Sequence, residues 1–448
     1  MEPTAPTLAE LQQLIEMSGT INMEIFYWWC TGLMVIIHAG FLAYEMGASR
    51  LKNALASGVK NILAFAFIIP TFFFFGWWIY LAMYQGFTPD FEAAAGGAPW
   101  SLSMGPNLTD NATGIFWGAF VLFAATTASI FSGAVIERMR MSAFIVLAII
   151  LGSVVWILGA AWGWHPDGWL TTSWGYHDFG AAGCVHMVAG FFALGVVINL
   201  GPRIGRFLPD GTSVPIQGHS APMSTIGLML IIVGFFGFLG GCAIYVTGGQ
   251  WTTIFGNPMT LSAISFNTLM AFSGGIIGAY LVTRQPFWMM SGALAGIFSA
   301  APGLDLYYPP LAFLLGIMGG VITPLADKFI TSKFKLDDAV GAFAVHGVGG
   351  LVGVVGLGIF GAGYPNLNGP EISFFGQLGG AAVMASLGFV PGFVLSYAMA
   401  KVGFLRVPPK AEEAGLDLVE VPLAAYPESA PAIAGNPSAP TSGSPAHA

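Results

Sequence analysis

The sequence predicts an all-α membrane protein: eleven transmembrane helices, arranged as two inverted five-helix repeats plus an eleventh helix, with the N-terminus outside and the C-terminus cytoplasmic. Three observations predict it. Of 448 residues, 55% are hydrophobic and only 8% charged, and the mean hydropathy is +0.75, far from the roughly 25% charge of soluble domains. The basic residues fall only in alternate loops between the apolar stretches. A thirteen-residue motif recurs, with five apolar stretches in each half of the chain.

Apolar stretches near the roughly 20 residues a span requires run at about 24–46, 60–86, 114–136, 141–162, 179–200, 222–247, 260–283, 286–301, 308–326, 338–361 and 373–400. The stretch at 286–301 is the shortest. Residues 1–22 are polar and acidic, with no basic region leading into a short apolar core. They predict an extracytoplasmic segment rather than a cleaved signal peptide. All 14 basic residues lie in alternate loops: Arg50, Lys52 and Lys60 after the first span, then Arg138 and Arg140, Arg203 and Arg206, Arg284, then Lys328, Lys333 and Lys335, and finally Lys401, Arg406 and Lys410. The opposite loops hold Asp90, Glu92, Asp110, Asp167, Asp305 and Glu371 without a Lys or Arg. The positive-inside rule then sets the orientation and demands an odd number of spans, which eleven satisfies.

Residues 178–190 align on 338–350 with six identities in thirteen positions: Asp178/Asp338, Ala182/Ala342, Val185/Val345, His186/His346, Val188/Val348 and Gly190/Gly350. The copies divide the chain into a first repeat at 23–200 and a second at 201–361. Five spans per half put the second half in upside down, a transport design with its site between the halves. Residues 362–402 carry the eleventh span and its preceding loop, and 403–448 form a cytoplasmic tail, rich in Pro, Ala, Glu and Ser and expected to be disordered from about 427. Residues 412–417 have enough pattern to dock. The 62 glycines fit close helix packing in lipid.

His186 and His346 each sit inside an otherwise apolar run, eight residues after an aspartate. An ionisable ring within a span is costly and marks a substrate path by default. Asp178 and Asp338 are placed to accept helix N–H groups at the start of their spans, with each histidine two turns deeper. Two neutral imidazoles can hydrogen-bond to each other and each leave a nitrogen free for a solute. The bland alternative, two separate core histidines on backbone carbonyls, fits a matched repeat poorly. Cys30, Cys184 and Cys242 read as buried small hydrophobes, with neither disulfide nor metal-ligand spacing. No cofactor and no metal is expected. An intramembrane enzyme with the histidines as metal ligands would need a further ligand at the same depth, so enzymatic activity is not expected. His38 stands alone in the first span. Glu45 and Glu137 lie beside Arg50 and Arg138, which predicts ion pairs at the membrane interface.

The motifs Asp178-Phe179-Gly180 through Val185-His186, Asp337-Asp338 through His346-Gly347-Val348-Gly349-Gly350, Gly133-Ala134-Val135-Ile136-Glu137-Arg138, Phe266-Asn267-Thr268, Arg50-Leu51-Lys52-Asn53-Ala54 and Gly415-Leu416-Asp417 occur in one order. With them the chain resembles the Amt/Mep/Rh ammonium transporters, nearest the Amt branch, over roughly residues 24–420. The resemblance implies a homotrimer in the cytoplasmic membrane with one narrow pore per subunit, conducting ammonium, or methylammonium, as a deprotonated or proton-separated species. It implies His186 and His346 as the pore histidines and Asp178 as the carboxylate supporting recruitment. Phe123 corresponds to the outer phenyl gate and Phe238 to the second gate ring. Trp164 corresponds to the vestibule tryptophan, with Trp162 and Trp169 as alternatives. Cys242 stands where a hydroxyl residue often completes the outer site, Leu239 replaces a polar residue beside the gate, and Gly341 stands where a third acid commonly follows. The outer loop at 165–168 looks like an insertion. An ammonium sensor signalling through the tail is the alternative function. A PII-type signalling protein is the implied tail partner, and no nucleic acid is expected.

Overall fold

The computed structural model describes residues 6–98, 113–246 and 249–427. Asp110, His447 and the tail from 428 onward, where disorder is expected, lie outside the described residues. The main helices are α1 (Leu8–Ala48), α2 (Leu51–Ala82), α3 (Gly114–Ala134), α4 (Met141–Gly163), α5 (Ala182–Leu200), α6 (Ala221–Gly241), α7 (Leu261–Val282), α8 (Pro286–Ala300), α9 (Pro309–Phe334), α10 (Phe343–Phe360) and α11 (Phe374–Lys401). Ten are long and apolar enough to cross a membrane. The exception is α8, whose 15 residues extend about 22 Å before a 3-10 turn at Ala301–Gly303. This is a mostly helical, multi-pass membrane protein.

Three segments differ from the sequence reading, each for a local reason. Helix α1 starts at Leu8 rather than near 24, because Thr7 and Glu10 form a reciprocal capping box and no proline follows to stop the helix. Lys60, read as a loop residue, lies buried inside α2. The sixth helix ends at Gly241 rather than 247. The chain then turns into a three-stranded antiparallel sheet of β1 (Ala243–Val246), β2 (Gln250–Thr253) and β3 (Pro258–Met259). Ile244, Val246, Thr252 and Thr253 supply β-branched residues there.

Helix α1 packs chiefly on α6, α7 on α9, and α5 on α11. The basic loops gather at one end of the bundle, the basic end. There Asp337 accepts from the Arg203 backbone N–H at 2.9 Å, from its Nε at 2.8 Å and Nη2 at 2.9 Å, and from Arg206 Nε at 3.2 Å. Glu137 pairs with Arg50 at 2.6 Å. Arg138 makes no such pair; its guanidinium serves the carbonyls of Ala134, Ile136, Gly201 and Asp337. Glu45 also departs from the expected ion pair, since its partner is the Ser132 hydroxyl.

The segment after α11 straps this end. Asp417 accepts from Leu55 N at 3.1 Å and Ala56 N at 2.7 Å, satisfying free N–H groups in the first turn of α2. Glu412 accepts from Ile204 N at 2.7 Å and from Arg406 at 2.7 Å. Arg406 in turn donates to the carbonyls of Leu200 and Pro202.

Candidate functional site

Two aspartates build two matching turns. Asp178 Oδ2 accepts from Gly183 N at 2.9 Å, Cys184 N at 3.0 Å and the Tyr176 hydroxyl at 3.2 Å, and Asp338 Oδ2 accepts from Phe343 N at 2.7 Å. Three residues after each aspartate the backbone is left-handed, with φ of 63° at Ala181 and 70° at Gly341. Glycine takes that conformation freely, whereas alanine carries a cost of about 1 kcal/mol. Each helix then opens as a π-helical turn, Ala182–Met187 and Phe343–Val348, that carries the histidine. Such turns add a residue to the helical circuit and re-aim the side chains that follow.

Helices α5 and α10 cross closely enough for the turns to meet. A β-carbon on Gly190 would stand 2.3 Å from Gly347 N, and one on Gly350 would stand 2.5 Å from the Ala182 carbonyl. The crossing brings His186 Nδ1 to 3.1 Å from His346 Nδ1, with both rings buried. One nitrogen must donate and the other accept, so the bond fits two neutral imidazoles. His186 Nε2 has no protein partner.

An unbroken file of rings leads to this pair. Trp164 meets Phe123 edge-on at 5.0 Å, Phe123 meets Phe238 at 4.5 Å, and Phe238 stacks on His186 at 5.5 Å. Trp164 Nε1 donates to the Asp178 carbonyl at 2.6 Å. Trp162 and Trp169 instead pack on each other at 5.8 Å, away from Phe123. Cys242 ends α6 with its thiol on the Phe238 carbonyl, and Leu239 is buried beside Gly180. Burial pushes the Asp178 carboxyl up, against the pull of its backbone and tyrosine donors. Its Oδ1 has no partner.

Sequence reasoning missed Tyr176, Phe235 and Phe298. Phe298 lies 3.7 Å from His186 and 4.7 Å from His346, stacked on both, and Phe235 stacks on His186 at 5.9 Å. In a chain with 37 phenylalanines nothing marks these two, and Tyr176 is visible only as a neighbour of Asp178. His38 stays apart from the file, 3.4 Å from the Ser129 hydroxyl. Among the described residues no group of three or more His, Cys, Asp or Glu is placed to hold a metal ion.

The energetics favour a species able to shed its charge. Moving a small ion from water into a dry interior costs on the order of 20 kcal/mol in the idealised limit and several after relaxation. A ring face returns about 0.5–2 kcal/mol, so three rings offset at most part of the idealised cost for a strongly hydrated cation. A cation that gives up a proton avoids the cost.

The profile of the Ammonium Transporter Family matches residues 25–426. The chain belongs to the ammonium transporter family. The chain is 30% identical to ammonium transporter Amt1 of Methanocaldococcus jannaschii over 426 residues, covering 93% of this chain and all of that one. It is 31% identical to Amt2 of Archaeoglobus fulgidus over 429 residues, covering 89% and 86%. Its fold matches that of a sensor Amt protein with a TM-score of 0.76 at 27% identity, covering 91% of this chain and 99% of that one. Candida albicans Mep2 shares the fold with a TM-score of 0.67. These ammonium-transporter relatives are named as transporters rather than enzymes.

Proposed function

We propose that this chain conducts ammonium across the cytoplasmic membrane: the cation is recruited beside Trp164 and Phe123, loses its proton, and passes as ammonia along His186 and His346. In this reading α8 is the eleventh crossing. Residues 23–200 and 201–361 are the inverted halves, the basic end is cytoplasmic, and the protein is a homotrimer with a pore in each subunit. Asp178 supports recruitment from behind Trp164, and Cys242 lends that site a weaker acceptor than a hydroxyl. Methylammonium is a second solute of the right chemistry. The docked tail is the surface offered to a PII-type partner.

The observation that carries the reading is the ring file ending on two hydrogen-bonded imidazoles. It is tested in proteoliposomes by comparing ammonium and potassium pulses. Wild type is expected to give an ammonium-evoked signal and no potassium signal. His186→Ala and His346→Ala are expected to lose ammonium flux, or potassium exclusion, by tenfold or more. Variants that conduct and discriminate like wild type would refute it.

One observation favours a second reading, a sensor with weak conduction that signals through its tail: the similarity to a sensor Amt protein extends over nearly all of that protein. An intact wild-type trimer that binds ammonium yet gives no evoked signal would select the sensor.

A further inference from the structure

Beyond the histidine pair, toward the basic end, a small cavity of about 20 Å³ is lined by His346, Glu45, Tyr44 and Ser291 among apolar side chains. A site of roughly 10–15 Å³ already holds one water-sized species. Glu45, three residues from the end of α1, is fully buried. Its Oε1 accepts from the Ser132 hydroxyl, which also lies 3.4 Å from Asn61 Oδ1. Its Oε2 has no partner. Lys60, on α2, is also buried, and its Nζ has no hydrogen-bond partner either. A buried carboxyl with one unpartnered oxygen costs free energy that a neutral side chain would save, and here it borders the chamber that also touches the inner histidine.

We propose that Glu45 is the proton-handling group at the inner end of the pore, taking the proton that ammonium leaves behind and passing it to the basic end while ammonia travels without it. The inference rests on the transport reading above. Ammonium gives one proton to the neutral histidine pair, which becomes singly cationic, and ammonia moves on. The proton leaves from His346 Nε2, the nitrogen not engaged with His186, and crosses by one water in the cavity to Glu45 Oε2. That converts carboxylate to carboxylic acid. The acid returns the proton to water at the basic end, Glu45 is again a carboxylate, and ammonia regains a proton in bulk water. One positive charge crosses per ammonium. The groups facing Glu45 are Lys60 and Asn61 from α2, Ser132 from α3, Tyr44 from α1 and His346 from α10.

The test separates charge from ammonia in one preparation. Wild-type and Glu45→Gln proteoliposomes receive ammonium pulses with the current recorded, and an ammonia gradient with internal alkalinisation followed. Glu45→Gln is expected to lose the current at least tenfold while keeping neutral ammonia flux within about twofold, and Glu45→Asp is expected to recover current. Equal currents in wild type and Glu45→Gln overturn the proposal, as does a Glu45→Gln that loses both readouts together while folded. A wild type silent in both readouts overturns the transport reading instead. If Glu45→Gln is not recovered folded, Ser132→Ala decides, because it removes the hydroxyl from Oε1 and leaves the carboxylate. A current lowered severalfold with ammonia flux intact supports the proposal, and an unchanged current overturns it.

Discussion

Phe298 offers a sharp test of what holds the histidine pair. Its ring stacks on His186 at 3.7 Å and 26° and on His346 at 4.7 Å and 30°, so it braces both imidazoles from one side. Each such ring pair contributes about 0.5–1.5 kcal/mol beyond burial, which gives the brace about 1–3 kcal/mol. Lost, that restraint shifts the population of the paired arrangement by roughly 5- to 150-fold at 1.4 kcal/mol per tenfold. Phe298→Ala also leaves a cavity and is expected to cost about 3–5 kcal/mol of stability. Phe298→Leu keeps most of the volume and removes only the stack. The assay pairs thermal unfolding in detergent with ammonium-evoked current in proteoliposomes. Phe298→Leu is expected to unfold close to wild type yet carry at least fivefold less current, or admit potassium. A Phe298→Leu channel with wild-type current and potassium exclusion would show that the imidazoles need no brace.

Other perturbations bear on the frame around the site. Burial alone would raise the Asp337 carboxyl, but the charge of Arg138 and the hydrogen bonds of Arg203 outweigh it and hold the group well below its ordinary 3.8. A depressed folded-state value gives stability that is complete above pH 4 to 5 and is lost as pH falls further. The melting temperature should therefore drop on acidification below that window, and Asp337→Asn, costing about 3–5 kcal/mol at neutral pH, should flatten the drop. Gly190→Ala places a β-carbon against the Gly347 backbone and is expected to yield no monodisperse particle by size-exclusion chromatography, whereas Gly32→Ala, with nothing within 4 Å, is tolerated. Glu412→Gln turns charge-assisted bonds to Ile204 and Arg406 into neutral ones, a loss of about 1–2 kcal/mol. Hydrogen exchange across 405–420 should then run about 5- to 30-fold faster.

The membrane character was legible because it is written in bulk properties, namely hydropathy and the side on which lysine and arginine fall. The two aspartate-led turns were legible because one local motif occurs twice. What escaped the sequence was decided in three dimensions. Lys60 looks like a loop cation by its neighbours in the chain, and only the folded α2 shows it buried. Glu45 sits five residues before Arg50, which suggested a pair, but helix α1 turns it toward Ser132 while Arg50 swings to Glu137. Phe298 lies in the weakest apolar stretch, so its place against the histidines had no linear signal. Thr7 and Glu10 did hold a readable signal, the spacing of a capping box, which marks where α1 begins.

At 41 residues, α1 is about 60 Å long, twice the roughly 30 Å of hydrocarbon in a bilayer. It holds no proline hinge, and its first turns show leucines and isoleucines to the surroundings. The same rod is therefore longer than one crossing needs, and its last turn carries Glu45. Whatever displaces its first turns, which share a pocket with Tyr245 and Gly249, is joined by one uninterrupted helix to the cavity beside His346.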